Sequence, residues 1–281
     1  MALAPGTRPS LAAAAAVWLL LAPDLFSQTA GPLSLEQQED FLQTAEVVEI
    51  HTVAEGVTGS QRATLSDGST THDAHIQTID EFRTAAPTAS GIEANFRDSF
   101  KFNVAAYRLN RMLGLDMIPA TVQRRVAGSA ASVTWWLDDI LMAEKDRYLK
   151  KIEPPDSEAW NKQIFIVRVF DQLIHNTDRN LGNLIITKDW KLWMIDHTRS
   201  FRISDTLDNP KQLSICERGL LAAMRELDRS TLDREMAGVL SEGEVRALLA
   251  RRDVIVRFFD QAIAKQGEEN VLYDLAADPK N

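Results

Sequence analysis

The sequence predicts an α+β fold of two lobes: a small β-rich lobe with one helix, then a larger, mainly helical lobe that carries one polar hairpin. β-type segments dominate the chain as far as Met142, whereas helical periodicity dominates after it. A charged stretch ending in two prolines, AEKDRYLKKIEPPD, lies between the two regions. The lobe boundary is therefore predicted near Ala143, with the small lobe over residues 46–143 and the large lobe over residues 144–281.

Composition limits the classes of function. The net charge of −9 argues against a nucleic-acid-binding protein, which needs a basic face. The single cysteine, Cys216, excludes an internal disulfide framework. No motif surrounds this thiol, so it is predicted to be an inert core residue.

Residues 1–30 have the pattern of a secretory signal peptide. Arg8 precedes an apolar run over residues 11–22, and a polar stretch follows Pro23. The run is short for a membrane span, so we expect export to the periplasm or exterior of a bacterial cell, with cleavage near Ala30. The alternative is an uncleaved segment that tethers the protein to the membrane. We expect no membrane span in the mature chain.

The small lobe begins after a predicted acidic linker or short helix over residues 31–45. Three strands are predicted next, with a tight turn at Asp67 and Gly68. A loop is predicted over residues 85–91. An apolar face and a capping Gly114 predict a helix over residues 96–113. The predicted strands of this lobe cover residues 47–53, 62–65, 74–79, 117–122 and 131–142.

The large lobe is predicted to contain two long helices and a hairpin. Apolar residues at 164, 167, 170 and 174 predict a helix over residues 160–174. A capping-box pattern at Ser241 and Glu244 opens a helix that runs towards Gly267. Between them, Leu184–Thr187 and residues 191–195 are predicted strands joined by a turn at residues 188–190.

Three polar residues surround this hairpin: Asp178, Asn183 and Asp196. In a symmetric hairpin whose opposite residue numbers sum to 379, Asn183 and Asp196 lie side by side. An amide oxygen beside a carboxylate suits a hard divalent cation such as Mg²⁺. Asp178, in the loop before the hairpin, is placed to orient a hydroxyl or accept its proton. One Asp for the nucleophile, then an Asn and an Asp on metal, is a layout used in phosphoryl transfer.

Each of these residues also has a structural interpretation. Asp178 alone is typical of a loop-capping residue, and Asn183 of a turn residue. Asp196 follows a buried strand and needs a partner, because a desolvated charge is costly. Arg179 is predicted to brace the loop. No third ligand at suitable spacing supports a zinc site at His175 and His197.

The segment Asn176-Thr177-Asp178-Arg179, followed by Asn183 and then Ile195-Asp196, resembles the atypical kinase group. That group includes the type II phosphatidylinositol 4-kinases, the HipA-type bacterial kinases and the secretory-pathway kinases that phosphorylate casein. A second stretch, VAAYRLNRMLGLDMIP over residues 104–119, is similar to the helix and following strand in the small lobe of the secretory kinases.

The resemblance implies a protein-kinase-like fold, ATP as phosphoryl donor and Mg²⁺ or Mn²⁺ as metal. It implies that Asp178 activates the acceptor hydroxyl and that Asn183 and Asp196 bind the metal. Gly56 and Gly59 would form a turn over the phosphates, although the same glycines fit a plain turn. The acceptor is not named by the sequence: a protein hydroxyl, a lipid head group and a small molecule all fit.

The chain departs from the pattern at two positions. Active kinases of this kind pair a strand lysine with a helix glutamate, and this chain has no lysine before Lys101. Arg83 is the first candidate substitute and Gln77 the second. Asn103 stands where the glutamate is expected, and Glu93 is the nearest alternative carboxylate. These departures keep two other hypotheses open, a nucleotide-binding pseudokinase scaffold and, more distantly, a metal-dependent hydrolase.

Overall fold

A capped helix and an antiparallel sheet form the first part of the structure, a computed structural model that describes residues 33–52, 60–88 and 91–275. Helix α1 (Leu35–Thr44) begins at Ser34, whose hydroxyl accepts from the backbone of Gln37 while the Gln37 side chain accepts from the Ser34 N–H. This reciprocal cap satisfies two donors that a helix start leaves open. Phe41 and Leu42 bury the apolar face of α1 against the sheet.

The β-sheet lobe contains a five-stranded antiparallel sheet with the order β1-β2-β3-β7-β6. A two-stranded hairpin, β4–β5, and helix α2 (Lys101–Met112) connect β3 to β6. Gly68, at φ +88°, forms the predicted turn between β2 and β3. The strands are β1 (Glu46–Thr52), β2 (Gln61–Ser66), β3 (Thr71–Gln77), β4 (Asp80–Thr88), β5 (Gly91–Ser99), β6 (Thr121–Val126) and β7 (Ser129–Trp135).

Two predictions for this lobe are wrong at the hairpin. Residues 85–88 belong to β4 and not to a loop, and residues 96–99 belong to β5 and not to the helix, which begins at Lys101. Most side chains of the hairpin are exposed on both faces. The sequence therefore lacks the apolar alternation by which a half-buried strand is recognised.

The strands after α2 also differ from the prediction. Pro119 has no N–H to offer a ladder, and regular pairing starts two residues later at Thr121. The predicted strand over residues 131–142 is divided into β7 and β8 (Ile140–Ala143), because the chain turns through Asp139 at φ +53°.

The helical lobe surrounds a three-stranded sheet of order β10-β9-β8, in which β9 is Leu184–Thr187 and β10 is Leu192–Met194. Asp156 caps α4 and Ser241 caps α7, the latter through the predicted capping box. A short parallel pair of strands, β11 (Cys216–Glu217) and β12 (Leu272–Tyr273), packs against α4. The helices are α3 (Glu144–Lys150), α4 (Ser157–Ile174), α5 (Arg218–Glu226), α6 (Arg229–Glu235) and α7 (Glu242–Gln266), and one-turn 3-10 helices cover Leu181–Asn183, Pro210–Gln212 and Glu268–Asn270.

A fully buried arginine, Arg251, lies in the core of the helical lobe. Arg251 of α7 donates from Nε to the carbonyl of Leu173 (2.8 Å) and from Nη1 to the carbonyls of Arg202 (2.8 Å) and Ser204. Burial lowers the pKa of this guanidinium to about 10. Through these hydrogen bonds, Arg251 joins α4 and α7 to the chain segment that follows the hairpin.

Cys216 is buried, and burial raises the pKa of its thiol to about 12. This environment confirms the expectation of an inert core cysteine. Among the described helices, none has the length and apolarity needed to cross a bilayer.

We expect Arg251→Leu to lower the free energy of unfolding by about 3 kcal/mol, because it leaves buried carbonyl groups without a donor. Urea unfolding followed by circular dichroism measures this loss. Arg257→Leu is the matched control, since Arg257 lies on the same helix with an exposed side chain. Equal stability of the two variants would contradict the bracing role of Arg251.

Candidate functional site

The β9–β10 hairpin has a register one residue away from the predicted one. Ile186 lies opposite Leu192, and Ile195 donates its N–H to the carbonyl of Asn183 (3.1 Å). Asn183 is therefore opposite Ile195 and not Asp196. The loop sets this register. The Thr187 N–H donates to the carbonyl of Lys191 (3.1 Å), so residues 188–190 form the loop, with Trp190 at φ +63°.

Asn183 and Asp196 nevertheless line the same cavity. Asp196 has a left-handed backbone conformation, with φ at +53°, which turns the chain at the open end of the hairpin. Such a conformation is uncommon for a residue other than glycine and is often found at functional sites. We call Asn183 and Asp196 the polar end of the cavity.

The cavity lies between the five-stranded sheet and the hairpin and has a volume of about 370 Å³. His75 and Trp136 line it from the sheet side, and Ile185 and Met194 from the hairpin side. A concave, mostly apolar space with a few polar groups at one end is typical of a site for a small organic ligand.

Asp178 lies next to this polar end, in the exposed loop that follows α4. Its N–H donates to Oδ1 of Asn176 (3.0 Å), and its carbonyl accepts from Nδ2 of Asn183 (3.2 Å). Partial burial raises the pKa of the Asp178 carboxyl, Arg199 opposes this shift, and the charge of Asp196 adds to it. The structure thus brings Asp178 into contact with Asn183 and within electrostatic range of Asp196.

Arg179 holds this arrangement together. Its guanidinium contacts the buried carboxylate of Asp171 (2.9 Å) and donates to the carbonyls of Asn183 and Ile195, each at 2.9 Å. It also lies 3.0 Å from Nε2 of His197. Arg179 therefore links α4 and the Asp178 loop to the residues directly before β9 and directly after β10, which confirms the predicted bracing role.

His197 is buried, and its imidazole ring is neutral. Burial, with a smaller contribution from Arg179, holds its pKa well below the usual value of 6.5. Its unprotonated Nε2 accepts from Arg179, and its backbone N–H donates to Oδ1 of Asn103 (2.7 Å). His175 lies at the end of α4 and contacts the carbonyl of Thr206. Within the described ranges, no three His, Cys, Asp or Glu side chains stand together as a metal-binding group.

A buried amide pair occupies the place where the resemblance calls for an ion pair. Asn103 of α2 donates from Nδ2 to Oε1 of Gln77 at the end of β3 (2.9 Å) and to Oγ of Ser132 (3.3 Å). The third contact of this amide is the His197 N–H. The junction of sheet, helix and hairpin is therefore neutral. The sequence pointed to Gln77 and Asn103 separately, and the structure shows that they contact each other.

Arg83 and Glu93, the candidates to replace the lysine and the glutamate, do not line the cavity. Arg83 is on the exposed β4–β5 hairpin, where its Nε donates to Glu81 (2.7 Å), and it does not line the cavity. Glu93 accepts from Arg199 (2.8 Å) and Arg202 (2.6 Å). Residues 53–59, which contain Gly56 and Gly59, lie outside the described residues.

Sequence reasoning missed Asp98, at the end of β5. This carboxylate is only 5% exposed, and its Oδ1 has no hydrogen-bond partner. Burial raises the pKa of Asp98, and the charges of Asp196 and Asp178 act in the same direction. No sequence signal pointed to it, because the residue falls where the chain was predicted to be helical.

We expect wild-type protein to lose about 2 kcal/mol of stability through His197 between pH 7.5 and pH 5.0. The folded state keeps this ring neutral, whereas the unfolded chain binds a proton below about pH 6.5. The stabilising effect is therefore complete above pH 6.5 and is lost as the pH falls. Urea unfolding at both pH values, without metal, measures it. His197→Gln should show a pH loss smaller by this amount, and an unchanged loss would contradict the neutral-ring assignment.

We expect Gln77→Lys to lower the free energy of unfolding by about 3 kcal/mol or more, because it buries an unpaired charge. Asn103→Glu in the same protein should recover at least about 1 kcal/mol through the new ion pair. Urea unfolding of the two single variants and the double variant completes the cycle. Strictly additive losses would contradict direct contact between the two side chains.

No family model matches the sequence, and no curated protein matches it in a sequence search. The fold, in contrast, is similar to solved structures. The structure of hydra Fam20 with sugar aligns with a TM-score of 0.64 at 15% identity, over 85% of this chain and 92% of that chain.

A Golgi casein kinase aligns with a TM-score of 0.61 at 14% identity, over 86% of this chain and 79% of that chain. The Golgi casein kinase structure with Mn/ADP bound gives 0.63 at 14% identity, over 88% and 80%. These likenesses extend over most of each chain. The protein therefore has the atypical kinase-like fold of the Fam20 and Golgi casein kinase structures.

Proposed function

We propose that the protein is an atypical kinase that transfers the γ-phosphoryl group of ATP to a hydroxyl group of an acceptor, with Mg²⁺ or Mn²⁺ as metal. The observation that carries this proposal is the presence of Asn183 and Asp196 at one end of a cavity in a kinase-like fold, with Asp178 beside Asn183. The Mn/ADP found in the Golgi casein kinase structure supports the same choice of ligands.

The cavity is suited to the nucleotide. Its apolar walls, which include Trp136, Ile185 and Met194, offer surfaces on which a base can pack. Its polar end offers oxygen ligands, so the phosphates of the nucleotide lie towards Asn183 and Asp196. Substrate positioning of this kind accounts for much of the catalysis in phosphoryl transfer.

The donor set at the polar end fits a hard divalent cation. Asp196 supplies a carboxylate, and Asn183 supplies an amide whose nitrogen is already engaged by the Asp178 carbonyl, so its oxygen end serves a ligand. Mg²⁺ is commonly held by one or two carboxylates together with substrate phosphates. When bound, the metal would neutralise phosphate charge.

Asp178 is the proposed proton acceptor. Its raised pKa makes the carboxylate a stronger base than an ordinary aspartate. The acceptor hydroxyl gives its proton to Asp178 as its oxygen forms a bond to the γ-phosphorus, and the bond between that phosphorus and ADP breaks. The acceptor class is left to experiment: a protein, a lipid head group or a small molecule.

The two-lobe boundary near Ala143 and the export signal over residues 1–30 are further parts of the proposal. Their support is the sequence pattern: the change of composition after Met142 and the apolar run over residues 11–22. Residues 1–32 lie outside the described residues.

We expect ATP with Mn²⁺ at a hundred times its dissociation constant to stabilise the protein by about 2.7 kcal/mol, measured as a thermal shift. Asp196→Ala should lose the metal-dependent part of this shift. Asp178→Ala should keep it but transfer no phosphate to acceptors that wild-type protein labels. Asp146→Ala is the control, because Asp146 is exposed on α3.

Two results would contradict the proposal. The absence of a shift with any nucleotide or metal would leave the hairpin residues with a structural role. A nucleotide shift with no transfer to a broad acceptor panel would favour a nucleotide-binding scaffold, in which the neutral contact between Gln77 and Asn103 replaces the ion pair of an active kinase.

A further inference from the structure

The cavity offers few groups that can bind phosphate oxygens. None of the described residues that line it is a lysine or an arginine. The junction of sheet and helix beside it is neutral, because Gln77 and Asn103 contact each other through their amide groups. A nucleotide triphosphate is strongly anionic, and its binding sites present N–H donors or cations to the phosphates. Among the described lining residues, the basic side chains are two histidines, His75 and His197.

His197 is already engaged by the protein. It is 1% exposed, and its Nε2 accepts a hydrogen bond from the Arg179 guanidinium (3.0 Å). His75, in contrast, is only partly buried. Its imidazole makes no hydrogen bond and no ion pair with any residue that the structure describes. His75 is therefore the histidine of this cavity whose hydrogen-bonding capacity is unused.

The β3 strand directs the His75 side chain into the cavity. Successive side chains of a strand point to opposite faces of the sheet. Ala74 and Ile76 are fully buried on one face. His75 stands between them in the sequence and lines the cavity on the other face, as does Thr134, its partner on β7. The sheet thus fixes the imidazole at the wall of the cavity.

His75 lies within electrostatic range of the polar end. Burial lowers the pKa of His75, and the negative charge of Asp196 opposes this shift. The phosphates of the proposed nucleotide lie towards Asp196, so the imidazole is placed to reach them. A neutral imidazole keeps one N–H group, so His75 can donate a hydrogen bond without gaining a proton.

We propose that His75 binds the phosphate chain of the nucleotide, through a hydrogen bond from its imidazole N–H to a phosphate oxygen. This inference rests on the proposed function, since it assigns a residue to the nucleotide in that cavity. Gln77, two residues later on β3, is held by Asn103 and brings no charge. His75 supplies a donor from the same strand instead.

The test is isothermal titration calorimetry of the full chain with two ligands, a non-hydrolysable ATP analogue with Mn²⁺ and adenosine. We expect His75→Ala to bind the analogue about tenfold more weakly than wild type, because it loses a hydrogen bond to a charged group. Its affinity for adenosine, which has no phosphate, should equal that of wild type. His75→Gln should recover part of the loss, since its amide also donates.

His51→Ala is the matched control. His51 is a histidine of the same sheet, on β1, with a largely exposed side chain that does not line the cavity. This variant should bind both ligands with wild-type affinity. Retained adenosine binding shows that each variant is folded around the cavity.

A second readout locates the contact directly. In ¹⁵N-labelled wild-type protein, the ring nitrogen signals of His75, assigned by their absence from His75→Gln, should shift with the analogue and Mg²⁺. Adenosine should leave them nearly unchanged, because it brings no phosphate oxygen to the ring.

The outcomes separate the two proposals. If His75→Ala binds the analogue as tightly as wild type, this inference is wrong and the proposed function stands. If the variant loses affinity for adenosine and the analogue equally, His75 serves the base or the fold, and the inference is again wrong. If wild-type protein does not bind the analogue, both proposals are wrong.

Discussion

The clamp formed by Arg179 is the interaction on which the rest of the site depends. Its guanidinium binds the buried carboxylate of Asp171 and two backbone carbonyls, at Asn183 and Ile195. A planar group with donors in a fixed fork is suited to this task, which a flexible lysine would not perform. The residues before and after the hairpin are held at one centre, so the Asp178 loop and the Asp196 turn cannot move independently.

The coupling between the two lobes is of a different kind. Asn103 joins the end of β3 to the segment after Asp196 through neutral hydrogen bonds. A buried amide network avoids the large desolvation cost of an ion pair. It also brings no cation to the cavity. In the proposed function, metal ions meet the phosphate charge, which gives the carboxylates around the polar end greater weight in binding than they would have beside a lysine.

Three aspartates near one another have three different environments. Asp178 is exposed and shares Arg199 with Glu93, Asp196 accepts from a hydroxyl at a strained turn, and Asp98 is buried with an unpaired oxygen. Differences in environment allow residues of the same type to have different roles. In the proposed function, access to solvent suits Asp178 as the base that faces the acceptor.

The sequence by itself determined the helices with clear periodicity and caps, α4 and α7, and the presence of the hairpin with its polar residues. These features depend on neighbours within a few residues, which local patterns record. Only the tertiary structure decided the exposed β4–β5 hairpin, the position of Arg83 away from the cavity, and the hydrogen bond from the Ser99 N–H to the carbonyl of Thr198. Ser99 and Thr198 are far apart in the chain, and their contact depends on packing between lobes, which leaves no periodic pattern in the sequence.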